Sequence, residues 1–483
     1  MSLKPIPALV IIAALVACES KVDSATRIDL TPGQDIQDAI DAAPPGTSFH
    51  LAPGIYRGQS FEPKDGQSFI GEPGTVISGA VILKNWRRSG RQWVAEGLPA
   101  PLRGHGQCYE PLCELREDLF LDGKLLKRVE PTADLAETEW FYADNAVHMA
   151  ADPRGQVVEM SYMPVAIHGS GDGVVLENIT VEKYASAAQY GAIDARDGSN
   201  WTLREVVVQW NHGVGLYMSD GMLVSGGAAL NNGQLGIGGI GNNVVIENVE
   251  IAYNNYAGYS WAWEAGGTKF VRSNDLIVRN NCVHNNIGPG LWTDIDNVDA
   301  LYESNLVFDN AGDGIKHEIS FDAIIRGNIA SGNGWGKDNW LWGSQILIQN
   351  SSGVVATSNL VEIAGDHGNG LGLIYQDRGA SNVLGEYITA NNRVEGNQIV
   401  FLGDHGSTGI VADVGGMDFW ESHTNVIDNN LYVMPAEKNN FVVTHNRHYD
   451  LAGAQEHGLE RNGVVTRESR QPTTYDCTQV FNN

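Results

Sequence analysis

The sequence predicts an all-β chain wound as a right-handed parallel β-helix, a solenoid with a short N-terminal capping helix and an inserted β-rich subdomain. Three observations predict it. Short β-branched runs recur, each followed within a few residues by Asn and Gly; Asn and Gly themselves repeat at a spacing of 23 or 24; and helical periodicity is nearly absent after residue 160. Runs of this kind bounded by turn residues read as strands, and a fixed recurrence reads as a stack of identical coils.

The chain divides into five expected segments: a signal at 1–17, a cap and first coils at 18–85, an inserted subdomain at 86–165, the coil stack at 166–435 and a C-terminal cap or tail at 436–483. The first rests on Lys4, an apolar stretch from Ala8 to Ala17, and Cys18. That stretch falls short of the ~20 apolar residues a spanning helix needs, and a charged start with a short apolar core reads as an export signal. Leu15-Val16-Ala17-Cys18 resembles the lipobox of bacterial lipoproteins, which implies cleavage before Cys18 and lipidation of its sulfur. Glu19 is not the Asp that commonly signals inner-membrane retention, so the expected location is the outer membrane or cell surface.

Lys and Arg total 31 against 58 Asp and Glu, a formal charge of −27. Such a surface repels nucleic acid, anionic membranes and polyanionic substrates. The body of the chain exceeds the ~100–150 residues of a usual domain, a limit a solenoid escapes because each coil packs only on its neighbours. The chain is expected to act as a monomer. Export permits disulfides: Cys108 and Cys113 lie close together in a loop-like stretch and are the expected pair, with a zinc site disfavoured because no second ligand pair follows. Cys282, in a strand-rich stretch, reads as a buried thiol.

The strand runs are Val174-Val175-Leu176, Val206-Val207-Val208, Val244-Val245-Ile246 and Leu276-Ile277-Val278. Asn286, Asn310 and Asn333 stand 24 and 23 apart, Gly290 and Gly314 stand 24 apart, and Asn305 and Asn328 stand 23 apart. One such period is a coil of three short strands and three bends. Asn at a bend tolerates positive φ and can stack on its counterparts, with amide hydrogen bonds along the axis. A leucine-rich repeat has a similar period, but its Leu-rich consensus is missing. The Gly236–Gly241 run is followed by no helix and reads as a tight coil rather than a nucleotide loop, and Arg103-Gly104-His105-Gly106 reads as a loop with no assigned role.

Residues 34–42 carry Ile36 and Ile40 at helical spacing, with Ala43 next, and Pro44-Pro45-Gly46 ends the helix. A helix there would cover the open end of the stack. Ala52-Pro53-Gly54-Ile55-Tyr56 follows as the first coil. This opening resembles the pectin-lyase-like superfamily of parallel β-helix proteins, in which a capping helix precedes a Pro-Gly-x-Tyr turn. The resemblance implies the fold and leaves activity open, since that fold hosts lyases, hydrolases, epimerases and adhesins. Residues 86–165 break the period, with Trp86, Trp93, the Cys pair and the run from Glu117 to Gly123.

The register makes a chemical prediction. Gly290–Asp296 aligns with Gly314–Ser320, which places Leu291, Ile295, Ile315 and Ile319 toward the core, together with Thr293 and His317. Trp292, Asp294 and Asp296 then point out, as do Lys316, Glu318 and Ser320, and Asp294 and Glu318 share a column one coil apart. Adjacent strands lie ~4.8 Å apart, close to the ~5–5.5 Å between the carboxyl groups of a retaining glycosidase. Two like charges so close raise one pKa, as a general acid requires. Trp261, Trp263 and Glu264 end the preceding coil and would supply sugar-stacking faces and polar contacts beside Trp292. Trp-x-Asp followed about one coil later by Glu, after a Gly/Asp-rich turn, resembles the β-helix β-xylosidase family of glycoside hydrolases. The resemblance covers this block and its flanks, and implies Asp294 as nucleophile and Glu318 as acid/base. His317 before the Glu and the run Asp294-Ile295-Asp296-Asn297 depart from that pattern.

Asp296, Lys316, His317 and Gln349 complete the candidate substrate-binding set, with Lys316 equally a structural ion-pair partner and His317 equally an interior histidine. Trp335, Trp340 and Trp342 would wall the cleft, and Tyr375, Asp377, Arg378 and Asp413 would extend it. The acids also admit a bland reading, as solvated surface groups. No cofactor is expected, although Asp294, Asp296, Asn297 and Asp299 supply oxygen ligands at short spacing that would suit Ca²⁺. The leading functional expectation is an exported retaining glycoside hydrolase. A polysaccharide lyase or uronate epimerase is the second, and meets the difficulty that its polyanionic substrate would enter a cleft expected to be acidic. A non-catalytic glycan-binding surface lipoprotein is the third.

Overall fold

The computed structural model describes residues 26–97, 101–413, 419–420 and 424–481. The expected signal segment, Cys18 and Glu19 lie outside them. Of the described residues, no helix is long and apolar enough to cross a membrane.

Strand follows strand around a right-handed parallel β-helix. One face is a 12-stranded sheet running from Ile167–His168 to Arg447–Tyr449, and a 24-stranded sheet forms the rest of the wall. Thr202–Gln209 pairs with both Val175–Glu177 and Thr180–Glu182, so such long strands turn the corner within the larger sheet. Coil-to-coil pairing is parallel, with Leu291, Trp292, Thr293 and Asp294 opposite Ile315, Lys316, His317 and Glu318. Alternate side chains fill the interior: Leu291, Ile315, Ile346 and Leu371 form one buried column. Each such side chain contributes about 1.5–3 kcal/mol on burial.

Two polar ladders run inside the bends. Asn211, Asn232, Asn254, Asn286, Asn310 and Asn333 each donate from Nδ2 to the next side-chain oxygen at 2.7–3.1 Å, ending on Gln345. Asn281, Asn305, Asn328, Asn359 and Asn397 form the second ladder, which continues through Asn430 to Glu460. The ladder Asn are not the positive-φ residues the sequence suggested. That conformation falls on the residue before each, as at Asn280, Asn285, Ser304 and Asp309 (φ 51–56°). The reversal there turns the following side chain inward, where it satisfies backbone groups that water cannot reach.

A helix at Ile36–Ala42 closes the N-terminal end, with the Asp35 side chain accepting from the Asp38 amide and Ile36 and Ile40 fully buried. The coils are interrupted by a mostly antiparallel eight-stranded sheet built from residues 80–161, with its own core around Trp93, Trp140 and Met160. Its first strand, Ala80–Ile82, precedes the boundary expected at residue 86. Winding then resumes with Val175 paired onto Ser68. The C-terminal tail folds back along the wall. Cys477 forms a disulfide with Cys282, which corrects the reading of Cys282 as a free thiol; local spacing carries no trace of a partner 195 residues away. Cys108 and Cys113 form the second disulfide.

Candidate active site

The strands Gly266–Val271, Leu291–Asp294, Ile315–Glu318 and Ser344–Gln349 lie side by side on the 12-stranded face. Asp294, Glu318 and Gln349 occupy one outward column across three of them. They form the floor of a cavity of about 350 Å³. Trp261, Trp292 and Trp342 wall it, and Lys316, Arg378 and Asp313 reach it from the same and neighbouring coils. Asp294 and Glu318 are only 6% and 4% exposed, so they are not the solvated surface acids of the bland reading.

Buried charge has to be compensated, and here the compensation is complete. Lys269 Nζ lies 2.8 Å from Asp294 Oδ2. Glu318 meets Lys316 at 2.6 Å and Arg378 at 2.5 Å. Asp294, Asp313, Glu318 and Glu264, which shares Lys269 at 3.8 Å, therefore stand against Lys269, Lys316, Lys337 and Arg378, and the formal charges cancel. The cavity is not the acidic cleft that the net charge suggested. Burial alone would raise the Glu318 carboxyl, but Lys316 and Arg378 outweigh it and hold the group down at about 2. Burial and then the charge of Glu318 push Asp294 up, and burial pushes Asp313 up. Before substrate enters, Glu318 is the ionised member of the pair and Asp294 the member that takes a proton first. The resemblance to β-xylosidases implies the opposite division of labour during turnover.

Three buried polar atoms of cavity-lining residues, Trp292 Nε1, Asp294 Oδ1 and Gln349 Oε1, have no partner among the described residues. Uncompensated groups at this depth cost about 1–3 kcal/mol each, a cost that a bound ligand or water would offset. Lys269 and Lys316 lie 4.2 and 4.6 Å from the Trp292 ring and fix it in place.

Several expected residues take other places. His317 is interior, fully buried, with Nδ1 2.7 Å from Thr293 Oγ1, and cannot touch substrate. Burial holds its pKa down at about 3, so it is neutral. Neither Ile295 nor Ile319 joins the interior core cluster, although Ile319 is buried: both sit on a bend at positive φ (60° and 35°), where the strand alternation ends. Asp296, on the same bend, accepts from Tyr387 Oη at 2.7 Å. Asn297 Nδ2 is turned inward to Phe270 O and Ser320 Oγ. Asp296 and Asn297, two of the oxygen groups considered for Ca²⁺, are therefore engaged with other partners. Trp263 does not line the cavity; its ring lies edge-on to His105 and tilted against Tyr259, while its carbonyl accepts from Lys269 Nζ. Glu264 lies in an adjoining hollow. Of the later candidates, Trp342 and Arg378 line the cavity; Trp340 packs against the same apolar cluster as Trp342, Trp335 donates to Asp309 O, Tyr375 stacks on Phe419, and Asp413 accepts from Gln376. Asp377 does not line the cavity.

Lys269, Asp313 and Gln376 were missed. Lys269 precedes Phe270 and Val271, which pair with Thr293 and Asp294 at a separation of 23, but Asn254 and Asn286 stand 32 apart, so the ladder spacing does not carry that register. The inserted subdomain also contributes. Its Cys108–Cys113 loop, held at Cys113 O and Asp118 by His212, sets Tyr109 edge-on to Trp261 at 5.5 Å, so the cavity wall is buttressed from outside the coils.

A family model for the right-handed β-helix region matches residues 191–353. No curated protein matches the sequence. The solved structure of XylC in complex with xylose is similar over 86% of each chain, at 16% identity and a TM-score of 0.69. The A-module of the Azotobacter vinelandii mannuronan C-5 epimerase AlgE6 covers 90% of this chain and 93% of its own at 16% identity and a TM-score of 0.44. PfbA, a surface adhesin of Streptococcus pneumoniae, covers 87% and 92% at 12% identity and 0.39. The protein is a right-handed parallel β-helix.

Proposed function

We propose that the protein is a retaining glycoside hydrolase whose catalytic groups are Asp294 and Glu318. The observation that carries this reading is their register: directly opposed on adjacent parallel strands, both buried in the floor of one aromatic-walled cavity. Strand spacing sets the carboxylates near the separation at which one attacks the anomeric carbon and the other transfers protons. The free Asp294 Oδ1, Gln349 Oε1 and Trp292 Nε1 would take up sugar hydroxyls, and the Trp faces would take up the ring. The neighbour XylC was solved with xylose, which makes xylosides the first substrates to try.

We also place the protein outside the cytoplasm, lipid-anchored through Cys18 at the outer membrane or cell surface. The N-terminal pattern supports this, as do two disulfides, which persist in oxidising compartments. Hydrolysis of an aryl-glycoside panel by the chain from residue 19, beside Asp294→Asn and Glu318→Gln, tests the activity. Release that drops by orders of magnitude in both variants supports it; release indifferent to both refutes the site.

The cations beside the carboxylates favour a second reading, an enzyme acting on uronates, since Lys316 and Arg378 could face a substrate carboxylate. Formation of unsaturated products or C-5 inversion on polyuronates, with no aryl-glycoside cleavage, would select it.

A further inference from the structure

Beside the cavity, on the same sheet face, the outward row Tyr217–Gly238–Lys269 leads toward Trp292. Along this row lies a hollow of about 360 Å³, lined by Tyr217, Gly239 and Lys269 among others. Lys269 joins the two spaces: its Nζ lies 2.8 Å from Asp294 Oδ2 and 3.8 Å from Glu264 Oε2. Tyr217 stands about three coils, or roughly 14 Å, from the row of Trp292.

The far wall is a built stack. The Arg196 guanidinium lies between the Tyr190 and Tyr217 rings at 4.4 and 3.9 Å and makes a two-point ion pair with Asp194 at 2.6 and 2.7 Å. That stack is rigid and charge-neutral, yet Tyr190 remains 51% exposed. An exposed, immobilised ring on a polar groove is a platform for a sugar face. Glu264 likewise faces Lys269 and is bonded by Gln189. One charge is left over. Arg272, on the bend above Ile295 at φ 50°, lines the hollow and forms no ion pair among the described residues. In a protein of net charge −27, an uncompensated guanidinium lining a groove is a local exception.

We propose that this hollow is a second glycan subsite, selective for a sugar unit that bears a carboxylate, with Tyr190 stacking the ring and Arg272 taking the acid. The proposal rests on the reading of the neighbouring cavity as a glycan site. Guanidinium and carboxylate match as two parallel hydrogen bonds, which a neutral sugar cannot reproduce.

The test is calorimetric titration of a neutral xylo-oligosaccharide, and of the same oligosaccharide carrying one glucuronic acid, into the parent, Tyr190→Ala and Arg272→Gln. The acidic ligand binds the parent about tenfold tighter or better, the preference worth one charged hydrogen bond. Arg272→Gln erases that preference and leaves neutral binding unchanged, while Tyr190→Ala weakens both ligands. Equal binding of the two ligands by the parent, or a preference that survives Arg272→Gln, overturns the proposal. Aryl-glycoside cleavage in the same variants is expected to equal the parent's. A parent that cleaves no glycoside but still shows the Arg272-dependent preference refutes the hydrolase reading alone.

Discussion

Replacing Arg378 by Gln removes one of the four cations that balance Asp294, Asp313, Glu318 and Glu264, and leaves the cluster one negative charge in excess. Arg378 Nη1 lies 2.5 Å from Glu318 Oε1, and the Glu318 side chain is 6% exposed, so solvent screens little of the interaction. An opposite charge at this range holds a carboxyl down by about 1–3 units, which is about 1.4–4 kcal/mol. Glu318 is held at about 2, below the ordinary carboxylate value of 4.5. Its depressed folded-state pKa contributes stability that is present above pH 4.5 and lost as the pH falls toward 2. Arg378→Gln should therefore lower the urea midpoint at pH 7, and the deficit should shrink as the pH falls through that window. The ionisation of Glu318 in the pH profile of kcat/KM should move alkaline by the same 1–3 units. A variant as stable as the parent at pH 7, with an unmoved profile, would refute the charge balance assigned to the cavity.

Other expected outcomes concern the framework. His317 is held at about 3 by burial, below its ordinary 6.5, so the unfolded chain takes the proton first and stability is lost as the pH falls from 6.5 toward 3. His317→Gln should flatten that loss by up to about 1.4 kcal/mol per pH unit, read from urea melts across the window; an unchanged slope would contradict the assignment. Asn310→Ala strips a ladder rung that accepts from the Asn286 amide and side chain and donates to Asn333 and Val283 O. With about 1–3 kcal/mol per orphaned group, a loss of at least 3 kcal/mol in equilibrium denaturation is expected, and less than about 1 would count against the ladder. Cys282→Ser should free the tail, seen as fast amide exchange at residues 468–481, and cost about 2–5 kcal/mol; protection equal to the parent's would show that the tail is held without the disulfide.

How much was legible in the sequence depended on whether the signal was periodic. The ladder Asn, the strand register and the stacked position of Asp294 and Glu318 all follow from one repeat, because a coil-to-coil sheet transmits spacing directly into space. The bends did not follow. Alternation was carried one residue too far at Ile295 and Ile319, where positive φ ends the strand. The left-handed conformation belongs to the residue before each ladder Asn, where nothing in the repeat marks it. Long-range closures left no periodic trace either: Cys477 returns to Cys282, Arg378 reaches Glu318 from 60 residues away, and Tyr109 props Trp261 from the inserted sheet. The charge balance of the cavity was hidden for the same reason, since two of its cations, Lys269 and Arg378, enter from coils of irregular length.

The measurement that reaches the central claim most directly is covalent trapping. A 2-fluoro glycoside with a good leaving group, incubated with the chain and followed by intact mass and peptide mapping, arrests a retaining enzyme at its glycosyl ester. One sugar per chain is expected, attached to Asp294 or Glu318, and the labelled residue names the nucleophile. An adduct on any other residue, or none with a glycoside that the protein hydrolyses, would contradict it.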